Sequence, residues 1–336
     1  MVSDVKTTAG VAMTRRFAVS GGVLAGVSAF AMPGGSAQTG AGSAPAARTL
    51  IDRLQGTLGG SDLEKLADLM HPAVRTIAWT GATELDVVGP SAYLASYLTP
   101  YLGENPQFRM TVTKVLSNGI ELIAFYDVSA LVDGKTSVWS GCNVYLTDGE
   151  RIVEQWIQQD LWWRSRSAPT VNSRIVMEQI ERNFKEETTA ANLAGMGLLM
   201  CYKNTMMSAP QRTAVLFPLL ASDAVQTFWQ PDGIAFFPDP HAIETSFDQI
   251  VLSTTLNFWE TVRRVVIIGN AIVLLQAPSG TVTLANNQQK FCAWYNCNVV
   301  FFAAEKVKYL LFQEDIMYRR SQLQIWLLSP FVDLHR

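Results

Sequence analysis

The chain has 336 residues and a mass of 37.0 kDa; 49% of its residues are hydrophobic and 16% charged. That length fits two ordinary domains better than one, and so little charge with so much apolar content excludes disorder over most of it. The 26 basic and 29 acidic residues leave a net charge of -3, so no basic patch points to a nucleic acid or a membrane surface.

The N-terminus reads as an export signal. Arg15 and Arg16 precede a weakly apolar stretch from Phe17 to Met32, and Gly35-Ser36-Ala37 is a small-residue cleavage site. The paired arginines resemble the twin-arginine type. The stretch is too weakly apolar to be a membrane span. Cleavage after Ala37 would remove residues 1–37 of the 336 and leave 299. Residues 38–47 are rich in Gly, Ala, Ser and Pro and read as a flexible linker. The expected destination is the bacterial periplasm or the outside of the cell, with no integral membrane segment left after cleavage.

In chain order, residues 48–71 are expected to be helical, with Asp62 as an N-cap, and a strand follows over 74–79. Pro90 opens a helix to about Tyr101. Four strands then follow, separated by Asn118-Gly119, Asp133-Gly134 and Asp148-Gly149, pairs that favour two-residue hairpins. Helices on one face of an antiparallel meander make an α+β fold.

A repeat organises the rest. Cys142–Arg164 aligns with Cys297–Arg319 at an offset of 155, with seven of 23 positions identical, and Trp139/Trp294 extends the match. Pro90/Pro240 and Ala73-Val74/Ala224-Val225 continue it with small gaps. The period is one whole domain. The expected organisation is domain 1 over 48–165, a junction near 165–171, domain 2 over 172–322 and a tail over 323–336. Four cysteines are too few for a disulfide scaffold, and no spacing suggests zinc.

Gly89-Pro90 and the segment Asp148-Gly149-Glu150-Arg151-Ile152-Val153-Glu154-Gln155-Trp156 resemble the nuclear transport factor 2-like superfamily, in its SnoaL-like polyketide cyclase and ketosteroid isomerase branch. The resemblance implies two tandem cone-shaped α+β barrels, each with helices on a curved antiparallel sheet, packed as an internal pseudo-dimer. It implies a cofactor-independent lyase, dehydratase, isomerase or cyclase acting on an apolar, aromatic small molecule. A non-catalytic binding protein for such a ligand is the alternative. No metal or cofactor is expected.

Two-residue turns would pair Met110 with Asp127, Asp127 with Ser140, and Cys142 with Gln155, and directly opposed residues share a face. By the resemblance, the face carrying Gln155 lines the pocket. It would hold Met110, Phe125, Asp127, Ser140, Cys142, Gln155 and Gln159, with Trp79 nearby. Asp127 is the lone carboxylate there and the candidate acid or base; a hydrogen-bonded structural aspartate is the plain alternative. Tyr93, Tyr97 and Tyr101 form a helical stripe, so Tyr97 and Tyr101 are candidates to hold an oxyanion or simply to pack. His71, after the second helix, completes the catalytic candidates. Trp139, Asn143 and Gln158 are expected on the opposite face, packing one sheet on the other. Domain 2 has Leu310 and Phe312 where domain 1 has Gln155 and Ile157, so its interior should be apolar.

Overall fold

A computed structural model describes residues 43–58, 63–79, 84–132, 134–159, 173–203, 215–230, 233–247, 255–283 and 287–314. The signal segment, the inter-domain junction, Asp62, Asp160 and the tail lie outside these residues.

Helix α1 (Ser43–Leu58) turns Leu50, Ile51, Leu54 and Leu58 to the core. It begins at Ser43, so residues 43–47 are helical and not linker; Pro45 fits because first-turn amides need no helical partner. A short α2 (Glu64–Asp68) follows. Strand β1 (Met70–Trp79) begins where the helix was expected to continue, and pairs with β2 (Glu84–Val88), which sequence patterning did not show. Gly89, at φ +92°, and Pro90 open α3 (Pro90–Tyr93). This helix widens into a π-turn (Leu94–Leu98) and continues as α4 (Thr99–Glu104). Pro100 accounts for the π-turn: it lacks an N–H, and its ring would clash with the preceding turn of a regular helix.

Strands β3 (Arg109–Ser117), β4 (Glu121–Val132), β5 (Lys135–Thr147) and β6 (Ile152–Gln159) form the expected meander. The sheet order is β2-β1-β6-β5-β4-β3. Strand β1 runs parallel to β6, so the sheet is mixed rather than antiparallel throughout.

The second half holds α5 (Arg174–Asn183), α6 (Ala190–Lys203), a 3-10 turn (Phe217–Leu219), β7 (Leu220–Gln230), β8 (Gly233–Phe237) and α7 (Pro240–Phe247). Strands β9 (Thr255–Ile268), β10 (Ala271–Thr283), β11 (Gln289–Ala293), β12 (Asn296–Ala303) and β13 (Lys306–Glu314) complete it. Its sheet runs β8-β7-β13-β12-β10, with β9 on the free side of β10 and β11 extending β12's edge of the same strand. The path is that of the first sheet, with β7 again parallel to β13.

Register repeats as well as order. Cys142 pairs with Gln158 and Cys297 with Gln313; Asn143 pairs with Ile157 and Asn298 with Phe312. A bulge falls after Leu146 in one sheet and after Phe301 in the other, the same place at an offset of 155. The next turn carries a positive φ at Gly149 and again at Ala304. On β1 and β7 the pairings make Val74 equivalent to Ala224, since Arg75 opposes Glu154 where Val225 opposes Tyr309. This moves the Ala73-Val74 match of the sequence alignment by one residue.

Three apolar clusters hold the fold. One lies between α1–α4 and the first sheet. One lies between α6, α7 and the second sheet, where the Phe228 ring stacks on Phe312 and meets Phe237 edge-on, with Gln226, Gln276, Asn296 and Asn298 also buried in this half. The third joins the sheets: Leu116, Ile123, Phe125, Cys142 and Val144 meet Val273, Leu275, Cys297, Val299 and Leu311, with Val176 and Ile180 of α5 closing one side. Arg264, ion-paired to Glu121 and Glu154, and Arg263, ion-paired to Glu84, rim this seam. Replacing Leu311, 1% exposed, by alanine is expected to cost about 2–5 kcal/mol in urea unfolding. Because the seam belongs to both sheets, unfolding should remain a single transition by fluorescence and by circular dichroism.

Candidate functional site

Whether a side chain faces the helices or the seam depends on the turns. Between β4 and β5 the register is the expected one: Val132 pairs with Lys135, and Asp127 opposes Ser140. Asn118-Gly119 and Asp148-Gly149 make longer loops. Asp148 Oδ1 accepts from the amides of Glu150 (3.0 Å) and Arg151 (2.8 Å), and its own N–H bonds the Arg151 carbonyl. Asn118 Oδ1 accepts from Ile120 and Glu121 in the same way. Each side chain thus supplies the turn's acceptor and stretches the loop to four residues. The longer loop shifts the register by two and the bulge after Leu146 adds one, so Cys142 pairs with Gln158 and not Gln155, a shift of three residues. On the other side a bulge at Thr113, whose hydroxyl donates to the Phe125 carbonyl (3.0 Å), pairs Met110 with Val128 and not Asp127. An odd shift exchanges the faces of a strand.

The expected pocket set is accordingly split. Met110 on β3 and Gln155, Ile157 and Gln159 on β6 face the helices, with Tyr97 and Tyr101. Phe125 and Cys142 on β4 and β5 lie in the seam instead, Phe125 with its ring 6.5 Å from that of Trp229. Asp127 and Ser140 share that second face. Asp127 accepts from Ser140 (3.2 Å) and from Ser173 (2.9 Å), the residue before α5. Its carboxyl is raised above the ordinary carboxylate range by burial, and the two serine hydroxyls oppose that rise. Asp127 ties the second half of the chain to the first sheet; it does not join the tyrosines. His71 is exposed, its Nδ1 accepting from the Ala73 amide. Trp79 ends β1, and its side chain lies outside the described residues.

The helix-facing interior of domain 1 is built from residues expected elsewhere. Tyr126, Trp139, Asn143 and Tyr145 point here and not toward the other sheet, while Gln158 has gone to the seam. The π-turn keeps Tyr93, Tyr97 and Tyr101 in one stack, with ring centroids 5.8 and 5.5 Å apart; the edge of Phe108 meets Tyr101. Beneath them, Tyr101 donates its hydroxyl to Gln159 Oε1 (2.6 Å), and Trp139 Nε1 donates to the same oxygen (3.0 Å). Gln159 Nε2 donates to the Tyr97 hydroxyl (3.3 Å).

Deeper in, Tyr126 donates to Asn143 Oδ1 (2.7 Å), Asn143 Nδ2 to the Tyr145 hydroxyl (2.9 Å), and Gln155 Nε2 to Thr76 (2.8 Å). Tyr93 meets Gln155. Gly141 makes room for this: a Cβ there would collide with the Tyr126 ring and hydroxyl. In the second half of the chain Asn298 donates to Gln276, a pair at the same register positions in its sheet as Asn143 and Tyr126.

These groups are neutral. Burial pushes Tyr145 up to about 12 and holds Tyr93 and Tyr126 well above the ordinary phenol range, so all three are hydroxyl donors at neutral pH. Among the described residues of domain 1, no Asp, Glu, Lys, Arg or His is fully buried. No three His, Cys, Asp or Glu side chains are grouped to hold a metal among the described residues, and no helix there is long and apolar enough to cross a membrane. A cavity of about 20 Å³, room for one water, lies in the seam beside Trp156, Gln158, Gln276 and Asn296. There the Arg263 guanidinium sits 5.5 Å from both the Trp156 and Tyr295 rings.

Residues 51–155 match the model of the SnoaL-like domain family. No curated protein sequence matches the chain. Among solved structures, similarity is found to a phenazine biosynthesis-related protein from Pseudomonas aeruginosa, at 11% identity over 41% of this chain and 90% of that one, with a TM-score of 0.33. A Jannaschia protein described as a SnoaL-like polyketide cyclase matches at 14% identity over 40% and 99%, again with a TM-score of 0.33. A protein from Catenulispora acidiphila with a ketosteroid isomerase-like fold, bound to trimethylamine, matches at 13% identity over 32% and 82%, with a TM-score of 0.29.

Two predictions follow from the geometry. Gln159→Leu strands the Tyr101 and Trp139 donors and should destabilise the fold by about 1–3 kcal/mol for each buried donor left unpaired, read by urea unfolding. For Asp127 the folded carboxyl holds its proton to higher pH than the unfolded one, whose ordinary value is 3.8. Unfolding free energy should therefore fall as pH rises from that value through the raised folded one, and stay level above it. Asp127→Asn should remove that part of the slope.

Proposed function

We propose that domain 1 binds a small apolar aromatic molecule bearing a carbonyl or similar acceptor oxygen, and that it does so without abstracting a proton from carbon. The observation that carries this reading is the convergence of Tyr101 and Trp139 on the single oxygen of Gln159. Two donors aimed at one acceptor, walled by stacked tyrosines, suit a ligand carbonyl that takes the place of the Gln159 amide. The Gln159 side chain would swing out as the ligand enters, so the unliganded interior stays satisfied. No Asp, Glu, Lys, Arg or His among the described residues of this domain is fully buried in that interior, and Asp127, the expected base, serves the seam.

The second reading is a cofactor-independent cyclase or isomerase in which the same two donors hold an enolate oxygen. It is favoured by the donor geometry and needs a substrate acidic enough to lose its proton to water.

The chain is further read as a duplicated SnoaL-like unit, domain 1 over 48–165 and domain 2 over 172–322, folded as an internal pseudo-dimer. The support is the shared strand order, register, bulge and positive-φ turn. Domain 2, with Phe228, Phe237 and Phe312 packed in its interior, serves assembly. The Arg15-Arg16 signal would deliver the product outside the cytoplasm, by twin-arginine export.

Native mass spectrometry and tryptophan fluorescence with a panel of hydroxyanthraquinones and acetylnaphthalenes test the binding reading. One ligand per chain is expected, recovered unchanged, with Tyr101→Phe weakening it about tenfold, the worth of one hydrogen bond. Conversion of a bound compound would establish the second reading in its place. A panel that neither binds nor reacts would make the interior purely structural.

A further inference from the structure

The two cysteines of the repeat meet in the seam. Cys142 on β5 and Cys297 on β12 occupy the same position in their sheets, each opposite a glutamine on the next strand. Both are buried in the cluster shared by the sheets, at 1% and 0% exposure. Cys142 Sγ lies 3.9 Å from Gln313 Oε1, the side chain opposite Cys297, which brings the two cysteines into one neighbourhood of the seam. When two copies of one surface pack about a two-fold axis, only residues near the axis meet their own equivalents. Cys142 and Cys297 lie in the one cluster shared by the sheets, and Cys142 touches the glutamine opposite Cys297, as equivalents near such an axis would. Cys292 is also buried but sits on β11, outside the shared cluster.

We propose that Cys142 and Cys297 form a cross-domain disulfide, closed by exchange with an oxidised dithiol protein or with glutathione disulfide. One cysteine thiolate attacks the oxidant's disulfide, giving a mixed disulfide and releasing one reduced sulfur. The second cysteine then attacks the protein sulfur of that mixed disulfide, forming the Cys142–Cys297 bond and releasing the second. The two protein thiols lose two protons and two electrons, and the oxidant leaves as two thiols.

In the folded protein this exchange is slow. The sulfurs are shielded, and burial together with the neighbouring Cys297 pushes the Cys142 thiol well above its ordinary range, leaving little thiolate. The bond therefore forms while the sheets are still coming together. Once made, it closes a loop from residue 142 to residue 297 and pins the seam. This inference rests on the seam and is independent of what the domain 1 interior binds.

The test is oxidative refolding of the full chain in a glutathione redox buffer, then alkylation under denaturing conditions and peptide mass mapping. The expected result is one linked peptide joining Cys142 to Cys297, two hydrogens lighter than its reduced parts. The oxidised chain should melt about 5–10 °C higher than the reduced one, as a loop this long implies. Cys292→Ala should keep both signals. Cys142→Ala and Cys297→Ala should each lose both, with circular dichroism reporting that they fold. Complete alkylation of all four cysteines after oxidative refolding would overturn the proposal. So would a linkage that involves Cys292 or Cys201. The wild-type peptide map decides the matter even if a variant fails to fold.

Discussion

The apolar seam between the two sheets governs the rest of the structure. Phe125, Cys142 and Val144 are committed to it from the first sheet, and Leu275, Cys297, Val299 and Leu311 from the second. Side chains alternate along a strand, so burying these residues against the other sheet sends their neighbours Tyr126, Asn143 and Tyr145 toward the helices. One packing decision thereby fills the domain 1 interior with phenols and amides, and keeps the Asp127 carboxylate out of it. The seam also explains much of the low charge of the chain. A sheet buried on both faces reads as a nearly continuous apolar run, and β10, from Ala271 to Leu275, is buried at every position.

Neutral polar groups inside an aromatic wall constrain the chemistry more than the fold does. A buried phenol or amide has to be paired: Tyr101 and Trp139 donate to Gln159, Tyr126 donates to Asn143 and Asn143 to Tyr145, and Gln155 donates to Thr76 and meets Tyr93. In the binding proposed for it, such a network would take up an acceptor by exchanging one partner for another. The π-turn forced by Pro100 contributes by aligning the tyrosine stack over the network, and Gly141 by letting Tyr126 cross beneath it. The second half has the Asn298–Gln276 pair in the same register, with Phe228, Phe302 and Phe312 and aliphatic side chains around it.

Much of the architecture was legible in the sequence. Gly89-Pro90 marked a helix start, three dipeptides marked the meander turns, and the 155-residue offset at Cys142/Cys297 gave the pairing that both sheets use. Facing was not legible, and the reason is local. Asn-Gly and Asp-Gly favour two-residue turns, yet Asn118 and Asp148 accept backbone amides within their own loops and stretch them to four residues. Together with the bulges at Thr113 and after Leu146, this shifts both neighbouring strands by an odd number of residues relative to β4 and β5. Met110, Gln155 and Gln159 thus reach the expected interior, while Asp127, Phe125, Ser140 and Cys142 turn away from it. One signal pointed the right way: the run Tyr126, Trp139, Asn143 and Tyr145 is too rich in hydrogen-bonding groups for a dry seam, whereas Phe125, Cys142 and Val144 are not. Strand β2 escaped notice because Glu84, Asp86 and an exposed Val88 give it the composition of an edge.

The account stands on Phe125 of the first sheet touching Trp229 of the second, their ring centroids 6.5 Å apart. A double-mutant cycle between Phe125→Ala and Trp229→Ala, read by urea unfolding, measures that contact directly. Packing through the seam predicts a coupling of about 0.5–1.5 kcal/mol between the two substitutions. Additivity to within about 0.3 kcal/mol would place Phe125 away from the second sheet and contradict the assignment of faces from which the site is derived.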